Sequence, residues 1–373
     1  MSEKSASKIP VLIASSLKPA KDTRAYGKLG LSLRETGVYS LNFMGFSQIP
    51  YENCEGENFY TSVSKANPSW GRLSAQGRFL SVLVKVRPKI LICCTYEYLP
   101  IAAFFKPFFG YKLVYDVQEN YVKNLQLNPK LSPAKRARLG KIIQRMEYGR
   151  AVDLYLFAEK CYVEEMPDKT PFLVLKNKYA GEIRHVNPLR FEKKSGYNFL
   201  ISGTLTPAFG TLDAVNWFKE IIKEFPDSSL KIIGHCTLLS FKKELEKACE
   251  NTSQIQLKHS SFPVPHEEII AEYSTADFAI LPYQNREAIK DKIPTKLFES
   301  AALGIPVLIG GNPKWLDFIA PYSGGFPIDF FDLAQSAQQF NAALNLEYFT
   351  QSPAESILWK SQHSDFISAI ASL

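Results

Sequence analysis

Short apolar runs recur along the chain, at residues 10–14, 90–94, 112–117, 153–157, 172–175, 198–202, 230–233, 278–281 and 306–309. They are nearly continuous in Val, Ile and Leu rather than alternating with polar residues. A strand covered on both faces needs apolar side chains in both directions, so these runs predict buried strands of parallel sheets. Stretches with apolar residues at helical spacing lie between them, at 26–37, 133–150, 211–224, 239–250, 266–275 and 295–303. Strand followed by helix, repeated, predicts an α/β fold.

The pattern restarts midway. Residues 176–197 are polar and irregular, with Gly181, Asn187, Pro188 and Gly196. Asn198-Phe-Leu-Ile-Ser-Gly203 then reads as the first strand of a second doubly wound sheet. The 373 residues suit about two domains. The expected division is a Rossmann-like domain over 1–180, a second over 190–353, and a terminal helix over 354–373 that is free to return to the first domain. Ligands of open parallel sheets bind beyond the carboxyl ends of the strands, so chemistry is expected in the loops that follow them.

Composition narrows the class. The chain is 46% hydrophobic and 22% charged, too apolar for disorder. The longest apolar candidate, 99–109, is broken by Lys106-Pro107 and is far shorter than the roughly 20 residues of a spanning helix. After Lys4 and Lys8, the apolar stretch 11–14 is too short for a signal peptide. The net charge of +7 does not imply nucleic acid, but it permits a phosphate-rich ligand or an anionic membrane surface. Lys123, Lys130, Lys135, Arg136, Arg138, Lys141, Arg145 and Arg150 stand against one acid, Glu147, with Leu139, Ile142, Ile143 and Met146 on the other face. This basic helix either packs on its sheet or touches a membrane. The six cysteines form no Cys-x-x-Cys, which fits reduced thiols, and the Cys93-Cys94 pair, inside the apolar run 90–94, reads as small core hydrophobes.

The richest chemistry lies in Asp291-Lys-Ile-Pro-Thr-Lys-Leu-Phe-Glu299. Pro294 suits the first turn of a helix, and Gly304 and Pro306 end it. Backbone amides around Thr295, with Lys292 and Lys296, form an anion site at the helix start. Asp291 and Glu299 bracket it, and a carboxylate accepts hydrogen bonds from vicinal hydroxyls. The set fits a phosphosugar; the alternative is a capped surface helix with solvated charges. None of His235, His259 and His266 stands at a spacing that pairs it with a carboxylate or a metal.

This stretch resembles the Glu-x7-Glu region of glycosyltransferase family 4, retaining enzymes with the GT-B fold. The likeness runs on through Ala302-Leu-Gly-Ile-Pro-Val307, Asn198 to Gly210, Leu230-Lys-Ile-Ile-Gly234 and Glu272 to Pro282. It implies two Rossmann-like domains with parallel sheets facing across a cleft that closes on the donor. It further implies that Asp291 holds the donor sugar and Glu299 the nucleotide ribose. Lys292, Lys296 and the Thr295 amide would stabilise the leaving diphosphate. Gly203 and Thr204 would lie against the donor, and Phe262 or Val264 would line the base pocket. In this half two positions depart from the family: Phe209 stands where a phosphate-binding Lys is usual, and Asp291 replaces a Glu. Phosphate neutralisation would then rest on Lys292, Lys296, amides and Lys242 or Lys243.

In the first half, Asp22 and Arg24 follow the first strand. Arg24 could meet phosphate or acceptor, and Asp22 could cap the helix instead. Asp116, Gln118 and Glu119 follow the strand 112–117 as candidates for sugar or acceptor contact; Gln118 stands where the family has His. The expected activity is transfer of a sugar from a nucleotide-sugar to a glycan or lipid-linked acceptor in cell-surface polysaccharide synthesis. No metal or other cofactor is implied, and the location is cytoplasmic, with the 123–150 segment on the inner face of a membrane. The alternatives are a non-catalytic GT-B binding protein and a nucleotide-sugar epimerase. A dehydrogenase is disfavoured, since no Gly-x-Gly-x-x-Gly follows a strand.

Overall fold

The computed structural model describes residues 8–47, 49–63, 68–128, 130–149, 151–184 and 187–373; Lys4 and Arg150 lie outside them. The chain divides into two compact units. One runs up to Ala180 and includes Gln362–Leu373; the other is Gly181–Ser361.

The first unit holds seven strands: β1 (Ile9–Pro19), β2 (Tyr39–Ser47), β3 (Glu57–Val63), β4 (Ile90–Cys93), β5 (Lys112–Val117), β6 (Leu154–Phe157) and β7 (Phe172–Val174). Their order is β3-β2-β1-β4-β5-β6-β7, every pair parallel. Every residue of β4 and β6 is buried, which is why these runs are continuously apolar. A π-helical turn, Ala25–Gly30, leads into α1 (Leu31–Glu35), followed by α2 (Pro68–Val86), α3 (Leu99–Phe109), α4 (Tyr121–Asn124), α5 (Pro133–Glu147) and α6 (Tyr162–Glu165). Ser132 caps α5 through its Oγ, which accepts from the Lys135 amide at 3.3 Å, with Pro133 at the first position.

The second unit repeats the plan with β9 (Asn198–Thr204), β10 (Ser229–His235), β11 (Ile255–Ser260), β12 (Phe278–Leu281), β13 (Val307–Ile309) and β14 (Gly325–Pro327), ordered β11-β10-β9-β12-β13-β14 and all parallel. A short antiparallel pair joins β8 (Leu189–Arg190) to β15 (Glu347–Tyr348). The helices are α7 (Thr211–Glu224), α8 (Leu239–Cys249), α9 (His266–Tyr273), α10 (Thr295–Leu303), α11 (Pro313–Ile319) and α12 (Ser336–Leu344). Helix α7 buries Ala214, Val215, Trp217, Phe218 and Ile221, one stripe at helical spacing, against the sheet. Phe199 on β9 meets Trp217 edge-on at 5.4 Å and Phe340 of α12 at 5.2 Å.

The last helix, α13 (His363–Ala371), packs on α1 in the first unit. Gln362, just before it, bonds both backbone groups of Lys176, at 2.9 and 2.8 Å. In both sheets the strand order reverses beside the first strand, between β1 and β4 and between β9 and β12. The loops at those carboxyl ends are where ligands of such folds sit.

Four strands of the two parallel sheets escape the apolar-run reading, as does the short β8–β15 pair. In β2, Asn42 interrupts the run, buried because its amide donates to Val11 O at 3.1 Å and accepts from Asn58 at 3.2 Å. β3 and β11 are edge strands with polar residues along them, and β14 is a Gly-Phe-Pro tripeptide. The helical stretch expected over 26–37 begins as a π-helix, and Pro294 caps α10 from outside rather than sitting in its first turn.

Candidate active site

In the second unit the site grows from the exits of β9 and β12. At the end of β9, Gly203 adopts φ +92, a region that residues with a Cβ rarely enter. A methyl there would also lie 2.7 Å from Lys296 Nζ. The strand can therefore turn beneath the ammonium only as glycine. Gly210 is equally constrained, with φ +67 and a would-be Cβ 1.9 Å from Pro282 O. This close approach brings Phe209 onto Tyr283, ring centroids 4.4 Å apart and 10° from parallel. The Tyr283 hydroxyl in turn lies 2.9 Å from Lys296 Nζ.

Burial works against the charge on Lys296, but Tyr283 and Glu299 more than offset it and hold its pKa above the ordinary lysine value. The ammonium therefore stays charged at neutral pH. It sits one residue into α10, at the positive end of the helix dipole.

The loop before α10 is pinned from α11. Trp315 packs edge-on against Tyr283 at 5.5 Å and donates its indole N–H to Lys292 O at 2.6 Å. Asn312 caps α11 and also donates to Lys290 O at 3.0 Å. Asp291 pairs with Lys314 at 2.5 Å. Glu299 is buried, its side chain 5% exposed, and His266 Nε2 lies 2.7 Å from its Oε1.

Lys296, Gly203 and the Lys292 carbonyl are thus joined through one aromatic stack. Thr295 opens α10, and Thr204 ends β9 in register with His235. Phe262 and Val264 are half-buried in the segment entering α9. The expectation that no histidine meets a carboxylate is corrected: His266 meets Glu299, and His259 lies 2.9 Å from Glu246. These partners are 33 and 13 residues apart, so only the sheet topology brings them together. Tyr283, Trp315, Lys314 and His266 were missed. Spacing along the chain carries no signal for them, although Tyr283 follows directly on the β12 run.

In the first unit, Arg24 and Asp116 face each other, 2% and 0% exposed. The guanidinium donates to both Asp116 oxygens, at 2.7 to 3.0 Å, and to Leu175 O at 2.8 Å. Burial opposes the charge on Arg24, and Asp116 restores it, so the net shift is upward. This is the geometry of a buried structural pair that ties the β1 loop to β5. It is not that of an arginine open to phosphate. Asp22 acts as the cap, its Oδ1 accepting from the amides of Arg24 and Ala25 at 2.9 and 3.0 Å. Gln118 donates to Asp116 at 2.8 Å, and Glu119 bonds Asn124 and stands 4.0 Å from Lys18.

A further group at the same strand ends was missed. Ser16 bonds Glu97 and lies 2.9 Å from Thr95, while Tyr96 meets Tyr121 edge-on at 4.9 Å. Ser, Thr and Tyr are individually too common for their pattern to mark a site.

Residues 188–356 match the family model described as Glycosyl transferases group 1. No curated protein matches the chain in sequence. Three solved structures are similar over nearly their whole lengths. A sucrose-phosphate synthase from Thermosynechococcus elongatus has a TM-score of 0.70 at 11% identity, covering 98% of this chain and 99% of the other. An Anabaena protein in complex with UDP and glucose has 0.61 at 13% identity, covering 97% and 99%. The catalytic domain of starch synthase IV from Arabidopsis thaliana, bound to ADP and acarbose, has 0.61 at 11% identity, covering 97% and 98%.

Two substitutions test this geometry. Arg24→Ala leaves Asp116 buried without its partner and should cost about 3–5 kcal/mol in urea unfolding. An arginine that only touched ligand would leave stability unchanged. Gly203→Ala forces a strained backbone and displaces Lys296, and should cost about 1–3 kcal/mol in the same measurement. The chain has the GT-B fold, and residues 188–356, within its second unit, are similar to the glycosyl transferases group 1 model.

Proposed function

We propose that this protein is a retaining glycosyltransferase of the family 4 type. It moves a sugar from a nucleotide-sugar to a glycan or lipid-linked acceptor in cell-surface polysaccharide synthesis. The observation that carries the reading is the seat of Lys296: a charged ammonium fixed by Tyr283, above a glycine turn, at the start of a helix. Such a place receives a diphosphate. As the glycosidic bond to the donor breaks, negative charge grows on the leaving diphosphate. A cation and amides already aimed at it stabilise that charge without reorganising. One such donor is worth about 2.7–4 kcal/mol of barrier.

In this reading Lys292 and the Thr295 amide assist Lys296. Asp291, steered by Lys314, meets the donor sugar, and Glu299, oriented by His266, accepts from the ribose hydroxyls. Gly203 and Thr204 floor the donor site, with Phe262 or Val264 against the base. The absence of lysine at 209 is offset, because Phe209 supports the tyrosine that holds Lys296. In the first unit, Asp22, Gln118 and Glu119 border the acceptor site, the first two held in place by the Arg24–Asp116 pair. The reaction needs no metal. We place the protein in the cytoplasm, peripheral on the inner face of the membrane, with the basic segment 123–150 toward it.

The His266–Glu299 pair favours one second reading, a nucleotide-sugar epimerase, since it supplies an acid–base group. A panel of UDP-, GDP-, ADP- and TDP-sugars separates the two. The transferase should bind one nucleotide-sugar, hydrolyse it slowly, and lose both properties in Glu299→Ala. Return of an epimerised nucleotide-sugar would establish the second reading, and binding of none would remove both.

A further inference from the structure

We propose that helix α3 and the basic face of α5 together form a docking surface for an anionic lipid bilayer. Helix α3 reads Leu-Pro-Ile-Ala-Ala-Phe-Phe-Lys-Pro-Phe-Phe. Its one charge, Lys106, is engaged by Asp153 at 2.7 Å and by Ala151 O at 2.6 Å. A helix apolar all round belongs inside a protein or a membrane. This one lies at the surface of its unit. Its inner side is spent on the core, with Leu99 and Ala102 buried and Ile101, Phe105 and Phe109 packed against them. On its outer side Phe104 is 65% and Phe108 72% exposed, one helical turn apart, with Pro107 exposed beside them. Their rings lie 5.8 Å from each other.

Helix α3 packs on α5. There Lys135, Arg138, Lys141 and Arg145 are exposed, and Ile142, 46% exposed, stands among them. The one carboxylate of α5, Glu147, points inward to Tyr115 at 2.7 Å and to Lys169 at 3.4 Å. The outer faces of the two helices therefore combine bare aromatic rings with cations and carry no exposed acid.

That pairing decides the occupant. In a two-fold dimer the same patch meets itself, which would set the α5 cations against their own copies. A bilayer with anionic headgroups complements both parts: rings enter the interface while lysines and arginines meet the lipid charge. The helix has 11 residues, against about 20 for a span, and no helix among the described residues is long and apolar enough to cross. The contact is thus interfacial. It rests on the membrane placement proposed above and deepens it by adding the rings of α3 to the contact; its test requires no activity, so its failure leaves the transferase reading standing.

The full chain is sedimented with vesicles of phosphatidylcholine alone and of phosphatidylcholine mixed with phosphatidylglycerol. It should bind the mixed vesicles and release them as salt is raised and the screening length falls. Phe104→Ser with Phe108→Ser should weaken binding at least about tenfold with an unchanged melting temperature, since both rings are exposed. Arg138→Gln with Lys141→Gln should weaken binding and flatten its salt dependence. Equal affinity for both vesicle types, no affinity for either, or wild-type binding by the phenylalanine double variant would each overturn the proposal. So would a dimer in sedimentation velocity that the phenylalanine variant abolishes while vesicles go unbound, which would assign the patch to a second copy.

Discussion

The Lys296 ammonium is held charged in a half-buried place, and the loops around it in the second unit are arranged to keep it there. Lys296 can stand at the end of β9 only because residue 203 has no Cβ, and it stays there because Tyr283 bonds it. Tyr283 is fixed in turn by Phe209 on one side and Trp315 on the other, and Trp315 reaches the backbone of Lys292. Gly210 must be glycine so that the loop bearing Phe209 can approach Pro282. The loops after β9 and β12 thereby become one body with the start of α10.

The first unit solves the matching problem with charge inside. Arg24 and Asp116 exchange hydrogen bonds out of contact with water, and the pair fixes the β1 loop beside the end of β5. Burying two ions costs solvation, so such a pair adds little stability, yet breaking it is expensive. Its effect is positional. Asp22 is tied to the pair through the Arg24 amide and Gln118 through Asp116, whereas Glu119 is held by Asn124.

The parallel strands were legible where both faces are covered, because burial on two sides forces continuous apolar runs, as in β4, β6 and β12. The edge strands β3 and β11 need only one apolar face and were not. In the site, the helix start at Thr295 and the acids on either side of it could be read from spacing along the chain. The partners that set their chemistry could not. Tyr283, Trp315, Lys314 and His266 reach Lys296, Lys292, Asp291 and Glu299 through strand order rather than sequence distance. Arg24 shows the reverse case: its charge and loop position suggest a ligand contact, and only its burial against Asp116 reveals a structural partner. Phe209 reads as the loss of a lysine until the ring beneath it is seen.

The central claim is that Tyr283 acts through Lys296 to prepare the diphosphate seat. The most direct measurement is a double-mutant cycle of Tyr283→Phe and Lys296→Met, read by titration calorimetry with UDP, GDP and ADP. Lys296→Met should weaken the bound diphosphate by about 1.5–3 kcal/mol, the worth of a hydrogen bond to a charged group. Tyr283→Phe should weaken it less, and the double variant should bind no worse than Lys296→Met alone. Additive losses, or undiminished binding by Lys296→Met, would contradict the account.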